Sequence, residues 1–137
     1  MVVWDKGPMG MGWHYRRSYE TVLVGKKTGA ACRWFDETNA VENIIRHIPK
    51  IIPNRNQHPT VKPVDLPTIF IRLHTQEGQL VLDPFAGSGG TLRAAKNLGR
   101  KSIGVELSEE FCEAAAKSLE QNVFDWSETV PIDKESS

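Results

Sequence analysis

The run Val81-Leu82-Asp83-Pro84-Phe85-Ala86-Gly87-Ser88-Gly89-Gly90-Thr91 constrains the fold more than any other part of this chain. It reads as a short apolar strand that passes through a glycine-rich turn into a helix. Glycines at 87, 89 and 90 take away the side chains that would hold a ligand off the backbone, and a helix start offers N–H groups that lack intrahelical acceptors. After the helix expected at 91–98, a second apolar run, Ser102-Ile103-Gly104-Val105, ends at Glu106. The pattern is a βαβ unit with room for a small, partly charged molecule at its turn.

The turn argues against two common ligands. Gly87-Ser88-Gly89-Gly90-Thr91-Leu92 begins like a dinucleotide fingerprint, but Leu92 stands where the third small residue would pack helix on strand. No lysine follows, as a phosphate-cradling loop would require. An acid at the tip of the second strand, Glu106, is placed to accept hydrogen bonds from the two hydroxyls of a ribose, which fits an adenosine without phosphates. Alone, a G-x-G turn also serves as a plain connection and a glutamate after a strand as a helix cap; it is their joint spacing that points to a ligand.

A third element lies upstream. His58-Pro59-Thr60-Val61-Lys62-Pro63 leads into a helical pattern over residues 64–75 with Leu66, Ile69, Phe70 and Leu73 on one face. Pro67 fits only if this helix starts at about Val64, because a proline in the first turn gives up an N–H that has no intrahelical partner. His58, Thr60 and Lys62 then fall in the loop before the helix, where a cation and a hydroxyl suit a carboxylate. A proline-punctuated connector with a surface lysine would look the same without its neighbours.

The order H-P-T-V-K-P, helix, V-L-D-P-F-A-G-S-G-G-T, helix, G-V-E resembles the S-adenosylmethionine-binding half of the site-specific DNA methyltransferases that modify the exocyclic amino nitrogen of adenine or cytosine. The order is similar to the arrangement in which the catalytic half comes first. The resemblance implies that Asp83, Phe85 and Gly87 surround the methionine and adenosine portions, that Glu106 takes the ribose, and that His58 and Lys62 lie near the methionine end. Thr60, Ala86, Ser88, Gly89 and Thr91 complete the implied cofactor set. Gly90 departs from the threonine or serine usual in the family, a change to a smaller residue that the loop should tolerate. More weakly, the segments 2–7 and 19–25, joined through glycines 7, 10 and 12, look like late strands of the family's catalytic half. A β-hairpin with a glycine-broken loop accounts for them equally well.

The family unstacks its target base and holds the amino group with an Asp, Asn or Ser followed by Pro-Pro and an aromatic residue. None of the eight prolines adjoins another, and Asp83-Pro84-Phe85 is already committed to the turn. No catalytic residue is therefore assigned. The strands that carry the tetrapeptide are expected before Met1, so the fold reads as incomplete on its N-terminal side. A complementing N-terminal catalytic chain or a homodimer is the partner this implies. The competing reading is a module that holds S-adenosylmethionine, and DNA, without transferring a methyl group; a third is a methyltransferase for a small molecule or a protein.

Formal net charge is zero, but it is unevenly spread. Residues 1–34 carry six basic side chains against Asp5 and Glu20, a balance of +4, whereas residues 104–137 carry nine acids against two lysines, a balance of −7. A DNA backbone would be drawn to the first region and repelled by the second. Trp13, Arg16 and Arg17, interleaved with His14 and Tyr15, suit stacking together with phosphate contact; alternatively Trp13 packs on the core. No metal-type spacing, signal peptide or membrane-spanning run is visible, and the two cysteines, Cys32 and Cys112, fit a reducing cytoplasm.

The sequence thus predicts a Rossmann-like α/β methyltransferase fold with a mixed sheet. Parallel strands are expected near 80–83 and 101–106, helices near 64–75, 91–98 and 109–121, and an antiparallel hairpin at the N-terminus. In the last helix Phe111, Ala115 and Leu119 should face inward, with Cys112 as a core thiol. The chain divides into 1–57, the end of a catalytic half plus a short segment in the position of target recognition; 58–124, the cofactor-binding subdomain; and 125–137, an irregular tail. Residues 39–50 read as a brief helix or strand.

Overall fold

The computed structural model describes residues 1–8, 10, 13–38, 40–51 and 61–120. His58 and Thr60, Gly12, and the tail at 125–137 lie outside the described residues. Eight elements follow in order: β1 (Val2–Asp5), β2 (Tyr19–Val22), β3 (Ile44–Ile45), α1 (Asp65–His74), β4 (Leu80–Asp83), α2 (Gly90–Asn97), β5 (Lys101–Gly104) and α3 (Glu109–Glu120). The fold is α/β and Rossmann-like, as the alternation of elements after residue 64 predicts.

The expected mixed sheet is divided. β1 pairs antiparallel with β2, Trp4 opposite Glu20, and parallel with the two-residue β3, Trp4 opposite Ile45. β4 and β5 form a separate parallel pair with Asp83 opposite Gly104. Among the described residues, β2 and β4 each keep one edge without a strand partner. The outer face of the β4–β5 pair exposes Leu80, Leu82, Ile103 and, just past the strand, Val105.

The core forms where α1 meets both halves. Trp4, only 1% exposed, packs with Ile48 and Leu66, and its indole Nε1 donates to the Ile48 carbonyl at 2.7 Å. Ile69 and Phe70 pack against the same cluster. One turn on, Ile71 points the other way, against Ala94 and Ala95 of α2, with Val64, Val81 and Leu98 around them. A single apolar stripe does not describe α1: the helix is sandwiched, and Ile71 is a core residue the periodicity did not single out. Pro67 sits in the first turn with Val64 as N-cap, as its missing N–H demands.

α2 starts at the left-handed Gly89 and stops at Gly99, which is also left-handed, φ +72°. Gly99 N–H donates to the Lys96 carbonyl and Arg100 N–H to that of Ala95, the paired bonds that close a helix at such a glycine. Arg93 and Lys96 reach across to the carbonyls of Ser118 and Leu119, placing cations at the negative end of α3. In α3, Ala115 is buried and Phe111 and Leu119 are half-buried, as expected, but Cys112 is exposed. Its thiol lies against the Glu106 carbonyl at the outer side of the first turn, so it is not a core residue. Among the described residues no helix is long and apolar enough to cross a membrane.

Candidate functional site

The glycine turn is held by the chain's own hydrogen bonds, with the carboxylates of Asp83 and Glu106 among the acceptors. Asp83 Oδ1 accepts from Phe85 N–H at 3.0 Å, which folds Pro84 and Phe85 over the end of β4. Ala86 N–H then donates to the Val105 carbonyl at 2.9 Å, carrying the parallel pairing one step past the strands. Gly87 adopts φ +53°, and Gly89, φ +83°, donates to the Ala86 carbonyl. Glu106 closes the turn from the neighbouring strand. One carboxylate oxygen accepts from Gly87 N–H at 2.8 Å and the other from Ser108 N–H at 3.0 Å, so the acid is held rigidly at the tip of β5.

The three glycines of the turn differ in what surrounds them. A Cβ on Gly87 would meet nothing within 4 Å, so this position faces an open cleft. A Cβ on Gly89 would stand 2.8 Å from that of Ala115, so this glycine lets α3 approach rather than a ligand. A Cβ on Gly90 would lie 3.6 Å from the Lys62 carbonyl, an ordinary van der Waals contact. The absence of a third small residue at Leu92 is offset on the partner strand: a Cβ on Gly104 would lie 2.6 Å from Leu92 Cδ1 and 3.0 Å from Ala86 Cβ. Helix and strand stay close because the bulk has moved from one to the other.

A cleft of about 540 Å³ opens in front of this turn. Of the residues singled out from sequence, Lys62, Asp83, Phe85, Ala86, Gly87, Ser88, Thr91 and Glu106 all line it. Gly89 does not, for the reason given by Ala115. Phe85 is 87% exposed, its ring standing at the cleft rather than in the core. Gly90, read from sequence as a bare position of the turn, lines the cleft as well, whereas sequence reasoning missed Val22, Leu66, Pro67 and Phe70, which complete the wall. Leu66 and Phe70 carry an apolar signal that reads as core, and nothing local marks Val22, which comes from the distant β2.

Lys62 sits at the mouth with its ammonium already engaged. It pairs with Glu20 Oε2 on β2, while Lys6 holds Glu20 Oε1 at 2.9 Å. The ammonium also lies 5.5 Å from the centroid of the Trp4 ring. Partial burial pushes the Glu20 carboxyl up, but hydrogen bonds and charge from Lys62 and then Lys6 outweigh it and hold the group below its ordinary value. Trp13, by contrast with the packed alternative, is 84% exposed, edge-on to His14 at 5.1 Å. His14 has φ +50°, unusual for a residue with a side chain. Arg16 Nε donates to the Gly10 carbonyl at 2.7 Å, and both arginines are exposed.

A ligand-sized cleft at the carboxyl ends of two parallel strands, over a glycine turn and a helix start, marks the chain as a Rossmann-like α/β protein. Residues 1–117 match the DNA methylase family of N6- and N4-methyltransferases, and the chain belongs to that family. It is 47% identical over 64 residues to the type II methyltransferase M2.DpnII of Streptococcus pneumoniae, covering 47% of this chain and 24% of that protein. To the type II methyltransferase M.HhaII of Haemophilus parahaemolyticus it is 30% identical over 110 residues, 78% of this chain and 45% of that one. The crystal structure of the M1.HpyAVI–SAM complex superposes with a TM-score of 0.70 at 31% identity, over 88% of this chain and 61% of that chain. The chain therefore spans between about a quarter and under half the length of these two curated relatives.

Proposed function

We propose that this chain is the S-adenosylmethionine-binding part of a DNA methyltransferase that modifies an exocyclic amino nitrogen of adenine or cytosine. The observation that carries the reading is the convergence of the bare Gly87 backbone, the exposed Phe85 ring, the Glu106 carboxylate and the Lys62 ammonium on one cleft. Glu106 places a carboxylate, the group that accepts hydrogen bonds from ribose hydroxyls, in the cleft wall at the end of the turn. Phe85 offers a ring face and edge to a flat base, and the start of α2 offers N–H donors. Lys62 suits the carboxylate at the methionine end, and His58 and Thr60, four and two positions earlier in the sequence, are proposed to act with it. Asp83, Ala86, Ser88 and Thr91 line the remainder, and Gly89 acts behind them by admitting α3.

When bound, the cofactor supplies an electrophilic methyl group; the protein's share is to orient it and exclude water. Holding the target amino group falls to residues other than those of the turn, because no Pro-Pro tetrapeptide occurs in this sequence. A completing chain segment, a complementing catalytic chain or a second copy would supply them. Support comes from the free edges of β2 and β4. A second cleft of about 750 Å³, lined by Val24, Ile71, His74, Leu80 and Val81, shares Pro67, Phe70 and Thr91 with the first. The two clefts run between those edges over α1, a trough suited to added strands. DNA is the proposed substrate, with Trp13, Arg16 and Arg17 as its exposed contacts.

The test is calorimetric titration of S-adenosylmethionine into the purified chain, wild type and Gly87→Asn, which puts a side chain into the cleft while tolerating the left-handed backbone at that position. Binding by the first and not the second is expected, with circular dichroism unchanged. Equal binding by both would remove the turn from the site. The missing tetrapeptide favours the second reading, a binding module without transfer. Methyl transfer to DNA by a mixture of this chain with a tetrapeptide-bearing catalytic half would exclude it.

A further inference from the structure

The Lys6–Glu20–Lys62 cluster joins the N-terminal sheet to the cleft, and of its three members only Lys62 has so far been given a role. Glu20 and Val22 lie on the same face of β2, two residues apart, and Val22 forms part of the cleft wall. Glu20 therefore stands next to the cleft but outside it, reaching it only through Lys62. A lysine side chain has four rotatable carbons and a mobile ammonium. Here the ammonium is fixed from two sides, by the Glu20 carboxylate and by the face of the Trp4 ring. One of its three N–H groups serves Glu20, which leaves donors for another acceptor. The cluster of two cations and one anion has a surplus of one positive charge at the mouth of the cleft, and Lys6 keeps Glu20 paired even if Lys62 turns toward a ligand.

We infer that Glu20 is a positioning residue for the cleft, fixing the Lys62 ammonium over Trp4 so that it meets the carboxylate end of the bound ligand. This rests on the cofactor reading above. The depressed Glu20 carboxyl agrees with a group that stays ionised wherever the cleft is in use. Because the device acts on one charged group of the ligand, its loss is felt only by ligands that bear that group. Preorganisation of a long side chain gains affinity by removing the entropy cost of ordering it at the moment of binding.

The experiment compares two ligands by calorimetry: S-adenosylmethionine, and 5′-methylthioadenosine, which keeps the nucleoside and sulfur but lacks the amino-acid end. Glu20→Gln is expected to weaken the first by roughly tenfold, as when one charge-assisted hydrogen bond is removed, and leave the second unchanged. Lys62→Met should show the same selectivity, and the double variant should lose no more than Lys62→Met alone, since Glu20 acts through that lysine. Equal weakening of both ligands, or losses that add in the double variant, would reveal a merely structural role and overturn the inference. Unchanged affinity of Glu20→Gln for S-adenosylmethionine would do the same. If the wild type binds neither ligand, the cofactor reading falls first and this falls with it. Should Glu20→Gln fail to fold, Glu20→Asp, which keeps the charge but draws it back by one methylene, carries the same two-ligand comparison.

Discussion

Four glycines around the turn show how differently the same residue can be required. Gly87 is bare toward the cleft, Gly89 toward α3 and Gly104 toward Leu92, whereas a Cβ on Gly90 would make only an ordinary contact. Gly104→Ala should therefore cost about 1–3 kcal/mol by overpacking, and chemical denaturation should find that shortening Leu92 to Val in the same chain recovers part of it. Gly90→Ser should stay within about 0.5 kcal/mol of wild type. At Glu106 the acid serves the protein as well as any ligand, because Gly87 and Ser108 both donate to it. Glu106→Ala is expected to weaken S-adenosylmethionine by roughly 1–3 kcal/mol in calorimetry; an unchanged affinity would refute the ribose assignment. The turn and Glu106 were legible in the sequence because their geometry is fixed within one βαβ unit. The exchange of bulk between Leu92 and Gly104 was not, since it is a contact between a helix and the strand after it that no local pattern records. Cys112 misled for a related reason: in an alanine-rich helix, small apolar residues lie on both faces, and only Ala115 meets Gly89.

Among the elements, α1 does most to make one body of the chain. Its Leu66 side meets Trp4 and Ile48, and its Ile71 side meets Ala94 and Ala95. Helix boundaries were readable to within a residue or so, because Pro67, Gly89 and Gly99 each dictate a backbone geometry that can occur only near an end. The second apolar face was not readable: a helix buried on two sides loses the one-sided periodicity on which such readings depend. Sheet pairing was also only half legible, since β3 has two residues and its parallel bond to β1 spans some forty residues of chain. The junction between α1 and the N-terminal sheet turns on the Trp4 indole. Trp4→Phe leaves the buried Ile48 carbonyl without its donor and should lower stability by about 1–3 kcal/mol in urea unfolding, at an unchanged denaturant slope. A loss confined to the noise of the measurement would mean that water replaces the indole there.

At the scale of the whole molecule, charge is what sequence composition conceals and the structure organises. Glu20 ties the N-terminal sheet to the cleft, and its folded carboxyl lies below the ordinary range because Lys62 and Lys6 overcome the opposing effect of burial. A group depressed in this way contributes stability that is complete above its unfolded value and is lost as pH falls through the folded one. The difference in melting temperature between wild type and Glu20→Gln should accordingly hold constant from neutrality to roughly pH 5 and close below it. Because the Glu20 side chain is 39% exposed, the difference should also shrink in high salt. The larger asymmetry is the balance of +4 over residues 1–34 against −7 over 104–137, in a chain of zero net charge. If the basic end meets DNA, its arginines act chiefly by displacing condensed counterions, so affinity must fall with salt in proportion to the phosphates neutralised. Changing Arg16 and Arg17 together to Ala should reduce the slope of log affinity against log salt by about 0.9 for each phosphate no longer neutralised, whatever the DNA sequence. Trp13→Ala should instead lower affinity with the slope intact, because a stacked ring releases no ions. A slope that survives the double arginine change would move the DNA contact away from this loop and leave the exposed Trp13 to another role.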